Sequence, residues 1–145
     1  MVSIKIINQS DNSVPAYATA GAAGLDVRAF LSSSVTLQPL QRHLVPTGLF
    51  VEIPAGYEVQ VRPRSGLALN AGITCLNSPG TIDSDYRGEI KILLINFSQE
   101  PQSINSGDRI AQLVLSKTEK AVFIETDALQ ESVRQQGGFG HTGKN

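Results

Sequence analysis

The chain has 145 residues, with 12 basic and 13 acidic side chains and a formal net charge of −1, a length that fits one domain able to bury a core without disulfides or a structural metal. The balanced charge excludes a global positive field for nucleic acid, and no polybasic run suits a membrane surface, so any phosphate chemistry must rest on a few locally placed Arg and Lys residues. The single cysteine, Cys75, excludes an intrachain disulfide.

The N-terminus, Met-Val-Ser-Ile-Lys-Ile-Ile, has neither the apolar core nor the cleavage site of a signal peptide. No apolar run approaches the ~20 residues that span a bilayer. The expected compartment is the cytoplasm, with neither nucleic acid nor membrane as partner. In chain order, Ser3–Ile7 alternates with Ile4 and Ile6 on one side, which predicts a strand. Tyr57–Arg62 alternates Tyr57, Val59 and Val61 against Glu58, Gln60 and Arg62, predicting a strand with one wet face. Gly66–Ala71 is the best helical stretch, about two turns long. Cys75, in Gly-Ile-Thr-Cys-Leu, reads as a small buried hydrophobe.

Glu89–Phe97 is apolar on both faces, with Ile90, Ile92 and Leu94 against Leu93, Ile95 and Phe97. Both faces therefore need cover, by a second sheet or by another subunit. Ile110–Leu115 and Ala121–Ile124 read as further strands. Turn signals at Pro54-Ala55-Gly56, Ser78-Pro79-Gly80 and Ser106-Gly107-Asp108 separate the apolar runs. Many short strands and little helix predict an all-β sandwich, jelly roll or small barrel. From Arg134 the chain is glycine-rich and cannot build a core, so residues 134–145 are expected to form a mobile arm on a 1–133 domain.

Three segments combine residues suited to chemistry. Arg62-Pro63-Arg64-Ser65-Gly66 leaves a strand and enters the short helix, where Arg, Ser and free amides suit an anion. The plainer alternative is a solvated turn with Ser65 as helix N-cap. Thr81-Ile82-Asp83-Ser84-Asp85-Tyr86-Arg87-Gly88-Glu89 packs three carboxylates, a Tyr and an Arg into nine residues. If it is extended, Asp83 and Asp85 share a face, suited to proton abstraction or metal binding; the alternative is a solvated hairpin tip. The tail, Gly138-Phe139-Gly140-His141-Thr142-Gly143-Lys144, matches part of a phosphate-binding P-loop. It ends at Asn145, without the Ser or Thr and the following helix such a loop needs, so only the amide-rich backbone and the charges of Arg134 and Lys144 carry over. His43, His141 and Cys75 do not form a metal-ligand cluster.

Taken together these segments resemble the motifs of the trimeric dUTPases, over nearly the whole chain. Five motifs stand in order: Ala23-Gly24-Leu25-Asp26-Val27-Arg28; Pro63-Arg64-Ser65-Gly66-Leu67-Ala68; Gly80 to Glu89; Gly107-Asp108-Arg109-Ile110-Ala111-Gln112-Leu113; and Arg134 with Gly137 to Gly143. The resemblance implies a jelly-roll β-barrel subunit, a homotrimer with active sites shared between subunits, and Mg²⁺-dependent hydrolysis of dUTP to dUMP and pyrophosphate by water attack at the α-phosphorus. Such an activity limits uracil incorporation into DNA and supplies dUMP for thymidylate synthesis.

The resemblance also implies residue roles. Asp83 would orient and deprotonate the water, and Tyr86 would lie under the deoxyribose. Asn77, Thr81, Ile82 and Lys91 would line the nucleoside site, Asn77 and the main chain at Lys91 contacting uracil. Arg64, Ser65, Gly66 and Gln112 would hold the phosphates. Asp26 would reach Mg²⁺ through water, and Arg134, Phe139, Gly140, His141 and Thr142 would close over bound nucleotide. Thr81 stands where the family often has an aliphatic residue, and Gln135-Gln136 replaces a more usual glycine-containing pair; neither removes a group the chemistry needs. The rival expectations are a dCTP deaminase, alone or bifunctional with dUTPase, and a non-catalytic jelly-roll module.

Overall fold

The structure, a computed structural model, describes residues 1–138. Among them run eleven strands and one helix: β1 (Lys5–Asn8), β2 (Leu25–Arg28), β3 (Val35–Leu37), β4 (Arg42–Pro46), β5 (Leu49–Glu52), β6 (Tyr57–Arg62), α1 (Ser65–Ala71), β7 (Ile73–Cys75), β8 (Gly80–Ile82), β9 (Lys91–Asn96), β10 (Gln102–Ile104) and β11 (Arg109–Lys117). All pairings are antiparallel. A four-stranded sheet runs β2-β11-β6-β8, a three-stranded sheet β4-β9-β7, and two ribbons pair β1 with β5 and β3 with β10. This is the expected all-β, jelly-roll-like architecture.

The inner faces follow from the period of two. In β6, Val59 and Val61 are buried while Arg62 points out, and they stand opposite Leu115 and Leu113 of β11. In β9, Ile92 and Leu94 are fully buried. They meet Val27, Leu37, Val45, Ile73, Ile90 and Ile110 in one core. The one fully buried side-chain amide among the described residues, Asn96, is satisfied. Its Nδ2 donates to the carbonyls of Leu37 (2.9 Å) and Glu100 (2.8 Å), and its Oδ1 accepts from Ser98 N (2.8 Å) and Oγ (2.7 Å).

Several expectations are corrected. The first strand is Lys5–Asn8 rather than Ser3–Ile7, and the two-sided strand is Lys91–Asn96, with Glu89 outside it. The helix begins at Ser65; Arg64 is its N-cap with no side-chain cap bond, so Ser65 does not cap. Ala121–Ile124 forms no strand. Val122, Phe123 and Ile124 are 87, 97 and 85 % exposed. Their β-branched and aromatic character favours a strand only where an edge and an apolar cover are available, and this segment lies against neither.

Candidate active site

Two clusters of functional groups form at opposite ends of the β2-β11-β6-β8 sheet. The first is a cavity of about 430 Å³ beside the edge strand β8, lined by Leu44, Val61, Asn77, Gly80, Thr81, Ile82, Asp83, Tyr86, Glu89, Ile90 and Lys91. It gathers every residue expected at the nucleoside site. Leu44 and Val61 have no signal in the sequence, because they come into place through the β4–β9 and β6–β8 pairings.

The wall of the cavity is built by β8, the turn after it and the start of β9. Asp83 follows β8 directly, and Tyr86 N–H donates back to Asp83 O at 3.2 Å, closing a turn. The segment is therefore not extended, and Asp83 and Asp85 do not form the paired face expected of a strand; only Asp83 lines the cavity. Tyr86 is 45 % exposed, and its hydroxyl donates to Glu89 O at 3.0 Å. Gly80 is closely packed: a Cβ there would lie 3.1 Å from Asn77 Nδ2 and 3.3 Å from both Asn77 O and Val61 Cβ.

The second cluster is basic. Asp26 of β2 accepts from two guanidinium groups, Arg64 Nε on Oδ1 at 2.8 Å and Arg109 Nη1 on Oδ2 at 3.0 Å. Arg64 also reaches Arg109 O at 3.2 Å. Gln112 stands opposite both Asp26 and Arg62 in register, and its Nε2 donates to Pro63 O at 2.9 Å, fixing the turn that carries Arg64 into α1. Gly24 makes room for that amide, since a Cβ at residue 24 would collide with Gln112 Oε1. One carboxylate between two guanidiniums leaves positive charge and spare N–H donors beside Ser65 and Gly66, an arrangement suited to polyphosphate. Arg109 received no role from sequence. Its pairing with Asp26 joins positions 83 residues apart, and no local spacing signals it.

The two clusters do not meet within one chain. Ile82 pairs with Val59, so Asp83 lies level with Glu58, whereas Arg64 lies two residues beyond the far end of β6. About six residue levels of about 3.3 Å each separate them, roughly 20 Å. Arg134 is exposed, its Nε donating to Gly137 O at 2.6 Å in a local turn. Phe139, Gly140, His141 and Thr142 lie outside the described residues.

Cys75 is buried, and burial pushes its thiol up to about 11. The Asp26 cluster offers a single carboxylate, and no group of three or more His, Cys, Asp or Glu side chains able to hold an ion occurs among the described residues. That donor set fits Mg²⁺ in the way Mg²⁺ commonly binds, through substrate phosphates, retained waters and one or two carboxylates.

A family model described as dUTPase matches residues 10–143. The chain is 60 % identical over 142 residues to the deoxyuridine 5'-triphosphate nucleotidohydrolase of Cytophaga hutchinsonii, covering 98 % of this chain and 92 % of the relative. It is 54 % identical over 140 residues to the enzyme of the same name from Finegoldia magna, covering 97 % of this chain and 98 % of the relative. In fold it is similar to the dUTPase of Staphylococcus bacteriophage 80alpha, solved with dUPNHPP. The TM-score is 0.83 at 22 % identity, covering 97 % of this chain and 98 % of that one.

Proposed function

The chain belongs to the dUTPase family and is a dUTP diphosphatase, forming dUMP and pyrophosphate, and we propose that it does so by water attack at the α-phosphorus, in sites shared between the copies of a homotrimer. The observation that carries the reading of the site is the cavity of Asn77, Thr81, Ile82, Asp83, Tyr86 and Lys91, which brings the Asp83 carboxylate and an aromatic ring together beside apolar walls.

Uracil enters the hairpin cavity, where main-chain donors and acceptors beside Asn77 and Lys91 pair with its edge. A cytosine there leaves buried polar groups unmatched, which is costly. Tyr86 lies under the deoxyribose. Asp83 accepts a proton from one water and holds it in line with phosphorus. Arg64, the α1 start at Ser65 and Gly66, and Gln112 hold the phosphates and stabilise the leaving charge. Asp26 would hold Mg²⁺ through water, and the ion would supply neutralisation of the triphosphate charge. Arg134 and the residues after it close over the nucleotide. No covalent intermediate is required.

The roughly 20 Å between Asp83 and Arg64 supports a site completed by a neighbouring copy. So do two uncovered apolar surfaces: Leu44 and Phe97, 51 and 59 % exposed beside the β4-β9-β7 sheet, and the Val122–Ile124 segment. Three copies closed by rotation would cover such surfaces in a ring. The proposed compartment is the cytoplasm, where a free thiol such as Cys75 stays reduced.

Hydrolysis in ¹⁸O-water tests the attack site. The label is expected in dUMP; label in pyrophosphate would overturn α-attack.

A further inference from the structure

The Tyr86 ring is held through a chain of contacts that the reaction itself does not use. Its hydroxyl donates to the carbonyl of Glu89, and Glu89 is tied down on its other side. Glu89 Oε1 accepts the N–H groups of Gly48 at 2.8 Å and Thr47 at 3.2 Å, and Oε2 lies 3.5 Å from Lys91 Nζ. Ile90 adds two bonds to the same turn, donating its N–H to Leu49 O at 2.8 Å and accepting Thr47 Oγ1 at 2.6 Å. The turn is shaped for this carboxylate. Gly48 has φ +70°, and a Cβ there would stand 2.9 Å from both Ser10 N and Ser10 Cβ.

Gly88 opens the other side. A Cβ at residue 88 would lie 2.6 Å from Tyr86 Cζ and would collide with the Tyr86 hydroxyl oxygen, and its three nearest heavy atoms all belong to Tyr86. Gly88 is not in the left-handed region. Its lack of a side chain therefore serves the space that Tyr86 occupies, not the backbone.

We propose that Glu89 and Gly88 are positioning residues that lock the Tyr86 ring and thereby set the discrimination between deoxyribose and ribose. The proposal rests on reading the cavity as the deoxynucleoside pocket. A wall rejects one added hydroxyl only as far as it resists displacement, and a pocket that merely fits an isostere discriminates weakly. A ring whose hydroxyl is bonded to an anchored carbonyl resists displacement; a ring free to shift would admit the 2′-OH. Charge-assisted bonds from two N–H groups to one carboxylate are stronger than neutral ones, which suits Glu89 to the anchoring role.

The test compares kcat/KM for dUTP and for UTP, each with excess Mg²⁺, in the wild type and in Glu89→Ala, Glu89→Gln and Gly88→Ala. Circular dichroism and sedimentation are measured on each protein. The dUTP-to-UTP ratio is expected to fall about tenfold in both Glu89→Ala and Gly88→Ala, since the first frees the carbonyl that holds Tyr86 and the second pushes the hydroxyl off it, each weakening the one bond that tethers the ring. Glu89→Gln should keep a ratio clearly above that of Glu89→Ala, because its carboxamide oxygen still accepts from the turn, though without the charge. A preserved ratio in folded, assembled Glu89→Ala and Gly88→Ala, with both substrates slowed equally, would overturn the proposal. Should Glu89→Ala fail to fold, Gly88→Ala decides alone. A wild type without dUTP turnover would instead remove the reading of the pocket, and this proposal with it; the wild-type control separates that failure from a preserved ratio.

Discussion

Asp83 lines the nucleoside cavity at the end of β8, whereas Asp85 does not. As the group that takes the proton from water, Asp83 should be irreplaceable by an amide of the same shape. Asp83→Asn is expected to lower kcat by roughly 10²–10⁴-fold with dUTP binding retained; near-normal kcat would place the base elsewhere. Gly24 offers a second test, at the basic cluster. An added methyl collides with the Gln112 amide that holds Pro63, so Gly24→Ala should raise KM for dUTP about tenfold with folding intact, losing roughly one hydrogen bond's contribution. An unchanged KM would show that Gln112 does not set the Arg64 turn. Cys75, with its thiol pushed up by burial, should resist thiol reagents through neutral pH until the fold is opened by denaturant; rapid labelling of the native protein would contradict its burial. At this scale the sequence was informative where residues act from one segment, as with Asn77, Asp83 and Tyr86. It was silent on Arg109, whose partner Asp26 is brought to it by the β2–β11 pairing.

The strands that were legible are those long enough to display a period. β6 and β9, six residues each, show their buried faces directly. β3, β7, β8 and β10 have three residues each, too few for alternation to be distinguished from a loop. The Asp83–Asp85 segment stays open between an extended state and a turn in the sequence because its composition fits either, and the Tyr86-to-Asp83 backbone bond decides for the turn. Asn96 looked unremarkable in a strand of apolar neighbours, yet it holds the β9 end to the Leu37 and Glu100 carbonyls. Asn96→Ala should destabilise the fold by about 1–3 kcal/mol, since it strands the buried Leu37 carbonyl and frees the Ser98 and Glu100 bonds, measured as a shift of the urea midpoint. The last element is the segment after β11. It adds nothing to the described core, so a chain stopped after Val133 is expected to fold and assemble, and to lose at least ~10²-fold in turnover as phosphate positioning and water exclusion fail. Full activity of that truncated chain would leave the residues from Arg134 onward without a role.

At the scale of the whole molecule, the two halves of the chemistry sit at opposite ends of one sheet, and each chain carries both. A closed ring of three copies, about three times 15.5 kDa, lets the hairpin of one copy face the basic cluster of the next. The sequence signalled the need for cover through the two-sided Glu89–Phe97 run. It could not signal the separation of Asp83 from Arg64, which depends on strand order and register. The most direct test is complementation. Asp83→Asn and Arg64→Ala chains, each of low activity alone, are unfolded, mixed in equal amounts and refolded together, and mixed trimers are isolated by tag. If each site takes Asp83 from one copy and Arg64 from another, every mixed trimer holds one intact site of its three, and dUTP hydrolysis should recover to about a third of the wild-type level. Mixed trimers no more active than their parents would show that each chain builds its site alone, and would contradict the account.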